Sequence, residues 1–186
     1  MRKILHFVHT SLDGFIEGPN AEFDWPVMGP ELSAYGKELN ERSDVFLYGR
    51  VVWDMMSFFW PQAESMSDHP HDLEFAPLWR KMPKVVVSRT LKSAEWNTTV
   101  IGSIDELAAL KQQEGRDLLL MGGSELAASL TAAGLIDEYH VVVHPVLLGG
   151  GKRLFPEGQD RHPLQLQESR VLDSRAVVLR HVRADS

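Results

Sequence analysis

Short and almost wholly apolar segments alternate with helical patterns along the first two-thirds of the chain, and this alternation limits the possible folds most strongly. The apolar segments are Lys3–His9, Val45–Tyr48, Lys84–Val87 and Leu118–Met121. The helical patterns cover Glu31–Arg42, Val51–Met56, Ile104–Gln112 and Glu125–Ala133. Strands without a polar face indicate a sheet buried on both sides, and helices between them indicate parallel neighbours. The pattern therefore predicts an α/β fold.

The C-terminal third has a different pattern. Glu138–Val146 is typical of a strand, and Leu164–Val171 with Ala176–Val182 predicts a hairpin. We therefore expect a central, mixed, mostly parallel sheet that ends in an antiparallel hairpin, with helices on both faces. Ser57–Pro77 shows the least regular pattern, and a connection of that length is a candidate flap or partner surface.

Composition excludes several classes of function. The 186 residues carry a formal net charge of −7 and no cysteine. Without cysteine there is no disulfide framework, thiolate zinc site or iron–sulfur cluster, and a negative net charge argues against nucleic acid and anionic membranes as partners. With no signal-peptide pattern near Met1 and no apolar run of membrane-spanning length, we expect a single cytoplasmic domain over residues 1–186.

Three strands end in residues suited to phosphate binding. The motifs are Gly49-Arg50, Ser88-Arg89-Thr90 and Gly122-Gly123-Ser124. Glycine lets backbone amides approach an anion, Ser124 can cap the helix that follows, and arginine adds a charged fork. Since ligands bind outside the carboxyl ends of strands in open α/β sheets, the motifs predict one nucleotide crevice, with Arg89 at a ribose 2′-phosphate. A tight turn with a solvated arginine is the alternative for Gly49-Arg50.

The order of the motifs resembles the dihydrofolate reductase-like superfamily, and more closely its branch that contains the reductase domain of bacterial riboflavin biosynthesis. The motifs that carry this resemblance are Ser11-Leu12-Asp13-Gly14, Tyr48-Gly49-Arg50, Ser88-Arg89-Thr90, Met121-Gly122-Gly123-Ser124, Pro145–Gly151 and Leu154-Phe155. The resemblance spans Lys3 to Val182. It implies the three-layer fold of that superfamily, NADPH as hydride donor and a homodimer.

The resemblance also implies roles for individual residues. Gly49, Arg50, Ser88, Arg89, Thr90, Gly122, Gly123 and Ser124 match cofactor-binding positions. On the substrate side the match is weaker: Asp13 and Glu31 are the candidate proton donors, beside ordered water, and Phe15, Trp25 and Lys152 are the candidate substrate contacts. The alternatives are a turn former for Asp13 and a solvated cation in a flexible turn for Lys152.

We expect no metal site, because His140 and His144 lie on one strand, where residues four apart are roughly 13 Å from each other.

The dimer is expected to use the C-terminal strands through Tyr139, Val141, Val143 and Val146. Two functions follow. The first is an NADPH-dependent reductase of a small heterocycle, either pteridine-like or a pyrimidine like 5-amino-6-(5-phosphoribosylamino)uracil, with or without a ribosyl phosphate, in which hydride passes to a C=N or C=O carbon. The alternative is a non-catalytic nucleotide-binding or protein-interaction module that keeps the reductase fold.

Overall fold

The computed structural model describes residues 1–184 as strands, helices and their connections. The strands of this part of the chain are β1 (Ile4–Ser11), β2 (Phe15–Glu17), β3 (Ser43–Gly49), β4 (Lys84–Val87), β5 (Thr98–Ile101), β6 (Asp117–Met121), β7 (Glu138–His144), β8 (Lys152–Arg153), β9 (Leu164–Val171) and β10 (Val177–Arg183). Its helices are α1 (Pro30–Arg42), α2 (Arg50–Phe59), α3 (Ala63–Met66), α4 (Pro70–Lys81), α5 (Ile104–Lys111) and α6 (Glu125–Ala132), with a 3₁₀ turn at Trp60–Gln62.

Eight of these strands form one central sheet. Their order is β5-β4-β3-β6-β1-β7-β10-β9, and β2 pairs separately with β8. In this spatial order the first six strands, β5, β4, β3, β6, β1 and β7, all run parallel to their neighbours. Strand β10 runs antiparallel to both β7 and β9. This confirms the prediction of a mixed, mostly parallel sheet with an antiparallel C-terminal hairpin.

The alternation of side chains along β1 creates two cores. Leu5 and Phe7 pack on one face against the inner sides of α1, α2 and α4. Ile4 and Val8 pack on the other face, against α5 and α6. Because both faces are covered by helices, the strands carry no polar face, which is why their sequences are nearly all apolar. Among the described residues, no helix combines the length and the apolar character needed to cross a bilayer.

Two features of the fold differ from the sequence-based expectation. The segment Ser57–Pro77 is mostly helical rather than a flap, since it contains the end of α2, the 3₁₀ turn, α3 and most of α4. Two prolines begin helical segments there, Pro61 in the 3₁₀ turn and Pro70 in α4, at positions where the missing N–H costs nothing.

The apolar residues of β7 do not form an exposed edge. This strand lies between β1 and β10, and Tyr139 is only 2% exposed. The edge of the sheet on this side is β9 instead, whose exposed apolar side chains include Leu166. Tyr139 and Val141 are therefore buried within one subunit and cannot supply the predicted dimer surface, whereas Val143 and Val146 are only partly buried and the dimer itself stays a prediction.

Candidate functional site

The carboxyl ends of four neighbouring parallel strands open into one cavity of ≈ 1080 Å³. His9 of β1, Gly49 of β3, Val87 of β4 and Met121 of β6 reach it from the sheet. Residues of α1, α2, α4 and α6 supply most of the remaining wall. This is the position at which open α/β sheets bind ligands.

Two helices begin at this cavity without a side-chain cap. Gly49 precedes α2 and Ser124 precedes α6, and neither helix receives a hydrogen bond from a capping side chain. The backbone N–H groups of both first turns therefore remain available to an anion, and the helix dipoles favour negative charge there. The predicted cap by Ser124 is wrong, because its backbone is already in the helical region, with φ −101° and ψ −36°. The Ser124 hydroxyl is buried and has no hydrogen-bond partner among residues 1–184.

Glycine allows the two helix starts to approach each other. Gly122 and Gly123 have φ of +64° and +70°, the region that side chains other than glycine rarely adopt. A Cβ atom on Gly123 would lie 3.3 Å from Val52 Cγ2 in the first turn of α2. A Cβ on Gly49 would lie 3.4 Å from Leu126 Cβ in the first turn of α6. The geometry suits a ligand with two adjacent anionic groups.

Three cations surround the helix starts. Arg50 Nε lies 2.9 Å from both carboxylate oxygens of Asp54, and Lys152 Nζ lies 3.1 Å from Glu125 Oε1. Arg89 is exposed at the cavity wall and, within residues 1–184, has no ion pair. Arg89 lies within a tight turn in which Ser88 Oγ accepts hydrogen bonds from the backbone N–H groups of Thr90 and Leu91. Its guanidinium is therefore the one best placed to meet an additional phosphate.

The structure thus brings together all eight residues that the sequence assigned to cofactor binding. Each of them lines the cavity: Gly49, Arg50, Ser88, Arg89, Thr90, Gly122, Gly123 and Ser124. Lys152, a predicted substrate contact, lines it as well, beside the start of α6. The binding roles themselves stay predictions.

The two predicted proton donors lie outside the cavity wall. The Asp13 carboxylate accepts hydrogen bonds from Ser11 Oγ at 2.6 Å, Leu148 N at 3.1 Å and Gly149 N at 2.8 Å. The first of these hydrogen bonds contributes most to lowering the pKa of Asp13 to about 2. Asp13 therefore joins two loops as an ionised acceptor. Glu31 Oε2 accepts a hydrogen bond from Asp173 N at 2.7 Å, at the start of α1.

The two predicted aromatic contacts also lie behind the wall. Phe15 is buried, with the Arg153 guanidinium 5.4 Å from its ring centre. Trp25 packs edge-on against His144, with 5.7 Å between ring centres. From the same loop, Phe23 lines the cavity instead. The alternation of side chains in this loop, which decides which of them reach the cavity, could not be derived from its sequence.

The cavity has a second lobe, which sequence reasoning missed. It lies on the side of α1 and α4 and is lined by apolar side chains: Met28, Met55, Met56, Phe59, Trp60, Phe75 and Leu78. Trp60 meets Phe75 edge-on at 4.6 Å between ring centres, and His71 stacks on Phe75 at 5.8 Å. We call this set of residues the aromatic lobe. Phe59, Trp60 and Phe75 come from Ser57–Pro77, the segment that was predicted to be an irregular connection.

Polar groups lie at the border of the aromatic lobe. Ser33 Oγ is 3.0 Å from His71 Nδ1, and Lys37 Nζ is 3.3 Å from Glu74 Oε1. His9 faces the cavity from the end of β1, and burial, with a smaller effect from His144, lowers its pKa to about 3. Within residues 1–184, no cluster of histidine and carboxylate side chains has the geometry to hold a metal ion.

Comparison with known proteins agrees with this geometry. The family model of the RibD C-terminal domain matches residues 2–178. The uncharacterized Bacillus subtilis protein YyaP is 34% identical over 178 residues, which cover 95% of this chain and 92% of that protein. The uncharacterized B. subtilis protein YwjB is 26% identical over 190 residues, covering 98% of this chain and 99% of that protein.

Two solved structures show the same fold. A Shewanella sp. PV-4 protein assigned to riboflavin biosynthesis superposes with a TM-score of 0.77 at 26% identity, covering 97% of this chain and 98% of its own. Dihydrofolate reductase from Enterococcus faecalis, solved in complex with NADP(H) and RAB-propyl, superposes with a TM-score of 0.65 at 15% identity. That match covers 98% of this chain and 97% of the reductase.

Proposed function

Because the chain belongs to the RibD C-terminal domain family, which is reductase-like and shares the dihydrofolate reductase-like fold, we propose that it is an NADPH-dependent reductase of a small heterocycle. One observation carries the proposal. Two uncapped helix starts that pack together at a glycine pair, and an arginine that has no ion pair within residues 1–184, face the same cavity as an aromatic lobe. The helix starts and the arginine suit a dinucleotide, and the aromatic lobe suits a flat ring beside it.

The residues fit NADPH in each of its charged parts. The pyrophosphate would accept hydrogen bonds from the first turns of α2 and α6, where Gly122 and Gly123 keep side chains away. The buried Ser124 hydroxyl, which has no partner among the described residues, is a further donor for it. Arg89 would hold the 2′-phosphate. When bound, the cofactor supplies a hydride from nicotinamide C4.

The aromatic lobe supports an uncharged, pteridine-like substrate over a phosphorylated one. Lys37 lines the cavity near this lobe, and Glu74, the neighbour of Phe75 in the chain, already pairs with it. Asp72 and Glu74 add negative charge. A phosphate would have to displace a carboxylate there, whereas a neutral ring can stack on Trp60 and Phe75.

Turnover tests this function directly. We expect NADPH oxidation, followed at 340 nm, with at least one member of a panel of pterins, ribosylaminopyrimidines and flavins, and faster turnover of rings without phosphate. NADPH binding without turnover of any of them would refute the reductase and support the non-catalytic nucleotide-binding module. Faster turnover of a phosphorylated pyrimidine would refute the assignment of an uncharged substrate.

Cofactor choice is tested by Arg89→Ala. Charge-assisted hydrogen bonds to the 2′-phosphate are worth roughly 1.5–3 kcal/mol, so the variant should bind NADPH about 10- to 100-fold more weakly in calorimetric titrations. NADH binding should change little, because NADH lacks that phosphate. Arg161→Ala, which removes an exposed arginine outside the cavity, is the matched control. Equal losses for NADH and NADPH would show that Arg89 does not hold the 2′-phosphate.

The proposal includes a cytoplasmic homodimer. Edge strand β9 presents its backbone and exposed apolar side chains such as Leu166, and a second copy could extend the sheet there. Sedimentation at micromolar concentration tests the dimer, and cell fractionation tests the compartment.

A further inference from the structure

Two histidines from neighbouring strands form a hydrogen-bonded pair at the cavity. His9 Nδ1 of β1 lies 2.9 Å from His144 Nε2 of β7. Phe23 packs edge-on against His9 and Trp25 edge-on against His144. Of the two imidazoles, His9 lines the cavity. Neither ring belongs to the surfaces assigned above to the cofactor.

The backbone determines which nitrogen of His144 carries its proton. The Val27 N–H group points to His144 Nδ1 at 3.4 Å, and an N–H group can only donate. His144 Nδ1 must therefore accept. Burial lowers the pKa of His144, so the neutral ring carries one proton, and that proton lies on Nε2.

The same argument extends to His9. Its partner donates from Nε2, so His9 Nδ1 accepts. His9 is also neutral, because burial holds its pKa at about 3, and its single proton lies on Nε2. With Nδ1 occupied, Nε2–H is the polar group that this ring can present to the cavity. The Val27 N–H group therefore fixes the tautomer of His144, and His144 in turn fixes the tautomer of His9.

We propose that His9 is a catalytic residue whose Nε2–H donates a hydrogen bond to a carbonyl oxygen or ring nitrogen of the heterocycle, with His144 as its positioning residue. This rests on the proposed reductase and narrows its substrate to a ring with an acceptor at the edge that meets His9. A donor fixed before the substrate binds stabilises negative charge that develops on that acceptor as the ring receives hydride. A ring with an amino group at this edge would be rejected, because two donors would face each other.

The first test reads the tautomers without a cofactor or substrate. Long-range ¹H–¹⁵N spectra of histidine-labelled protein distinguish the two nitrogens of a neutral imidazole. We expect Nε2–H for both His9 and His144, each assigned by the signals lost in His9→Gln and His144→Gln. In His144→Phe, His9 should become a mixture of tautomers. A single Nδ1–H tautomer for His9 in the unaltered protein would overturn the proposal.

The second test separates substrate contact from packing. With the heterocycle that the panel identifies, His9→Phe should lower kcat/KM about 10- to 100-fold, the range expected for hydrogen bonds to developing charge, while NADPH affinity changes less than twofold. His9→Gln, which restores an N–H donor, should recover part of the loss. His162→Gln, an exposed histidine outside the cavity, is the matched control. Unchanged kcat/KM in folded His9→Phe would refute the contact.

The two proposals fail differently. If no heterocycle is reduced, the reductase is refuted. The contact with His9 is then tested by recording the same ¹H–¹⁵N spectra during a titration with pterin. The His9 Nε2–H signal should shift as pterin binds. A His9 signal that is unmoved by pterin at saturation would overturn the proposed contact.

Discussion

Buried neutral histidines should make this protein sensitive to mild acid. His6, on the α6 side of β1, is fully buried, and its burial lowers the pKa to about 4, although the backbone of Gly122 and Gly123 opposes part of the shift. Burial lowers the pKa of His9 to about 3. In the unfolded chain both histidines have the ordinary pKa of 6.5. Since the unfolded state binds more protons than the folded state, stability falls as pH falls below that value.

The expected loss follows from these pKa values. Between pH 6 and pH 5 the unfolded chain becomes almost fully protonated at each histidine, while the folded protein stays mostly neutral there. Each histidine therefore lowers the free energy of unfolding by about 1.2 kcal/mol over this interval, or roughly 2.4 kcal/mol for His6 and His9 together. Most carboxylates titrate below this interval. Against a total free energy of unfolding of about 5–15 kcal/mol, the loss is large.

Urea unfolding followed by tryptophan fluorescence at pH 6 and pH 5 measures this loss. The variant His6→Leu should lose about 1.2 kcal/mol less than the unaltered protein over the same interval, because one of the two groups no longer titrates. His162→Gln, whose side chain is exposed in the fold, should behave as the unaltered protein does. An identical loss in His6→Leu and the unaltered protein would refute the assignment of acid sensitivity to His6.

Three further predictions concern the cofactor site and the dimer. Arg50→Ala should weaken NADPH and NADH alike in titrations, because the pyrophosphate that we propose binds near Gly49 is common to both cofactors, and a selective loss of NADPH would contradict this. Gly123→Ala should destabilise the protein by about 1–3 kcal/mol in thermal unfolding, since its φ is +70° and the new Cβ would press on Val52; an unchanged midpoint would contradict the strain. Leu166→Lys on edge strand β9, where the side chain is 53% exposed, should convert a dimer into a monomer in sedimentation, and a persistent dimer would exclude that edge.

The parts of the fold that could be predicted are those specified by local sequence. A run such as Leu118-Leu119-Leu120 has no polar face, so it predicts a strand buried on both sides wherever it lies in the sheet. The glycines that follow it predict backbone exposed at a strand end. For this reason the residues predicted for cofactor binding lie together in the structure. The binding proposed at Gly49, Gly122 and Gly123 would use backbone N–H groups, and the sequence shows where the backbone is uncovered.

Elements that depend on their surroundings were missed. The strand β5 (Thr98–Ile101) is a half-exposed edge and follows Trp96 and Asn97, whose positive φ values are typical of a turn. The helix α4 begins at Pro70 but also contains Pro77, and a proline inside a helix removes a backbone hydrogen bond. Packing decides its structure, since Phe75 and Trp79 are buried against the sheet and outweigh weak local propensity.

The substrate side required distances that no local pattern contains. His9 and His144 are 135 residues apart, and they meet only because β1 pairs in parallel with β7. Asp13, in contrast, was a candidate proton donor because of its local motif, and it does not line the cavity. Its neighbours Ser11 and Gly14 mark a turn, and the carboxylate serves that turn and the loop at Leu148 rather than the cavity. Side chains from different elements build the aromatic lobe, so a substitution in α4 would change the proposed substrate surface and leave the glycine motifs of the proposed cofactor site unchanged.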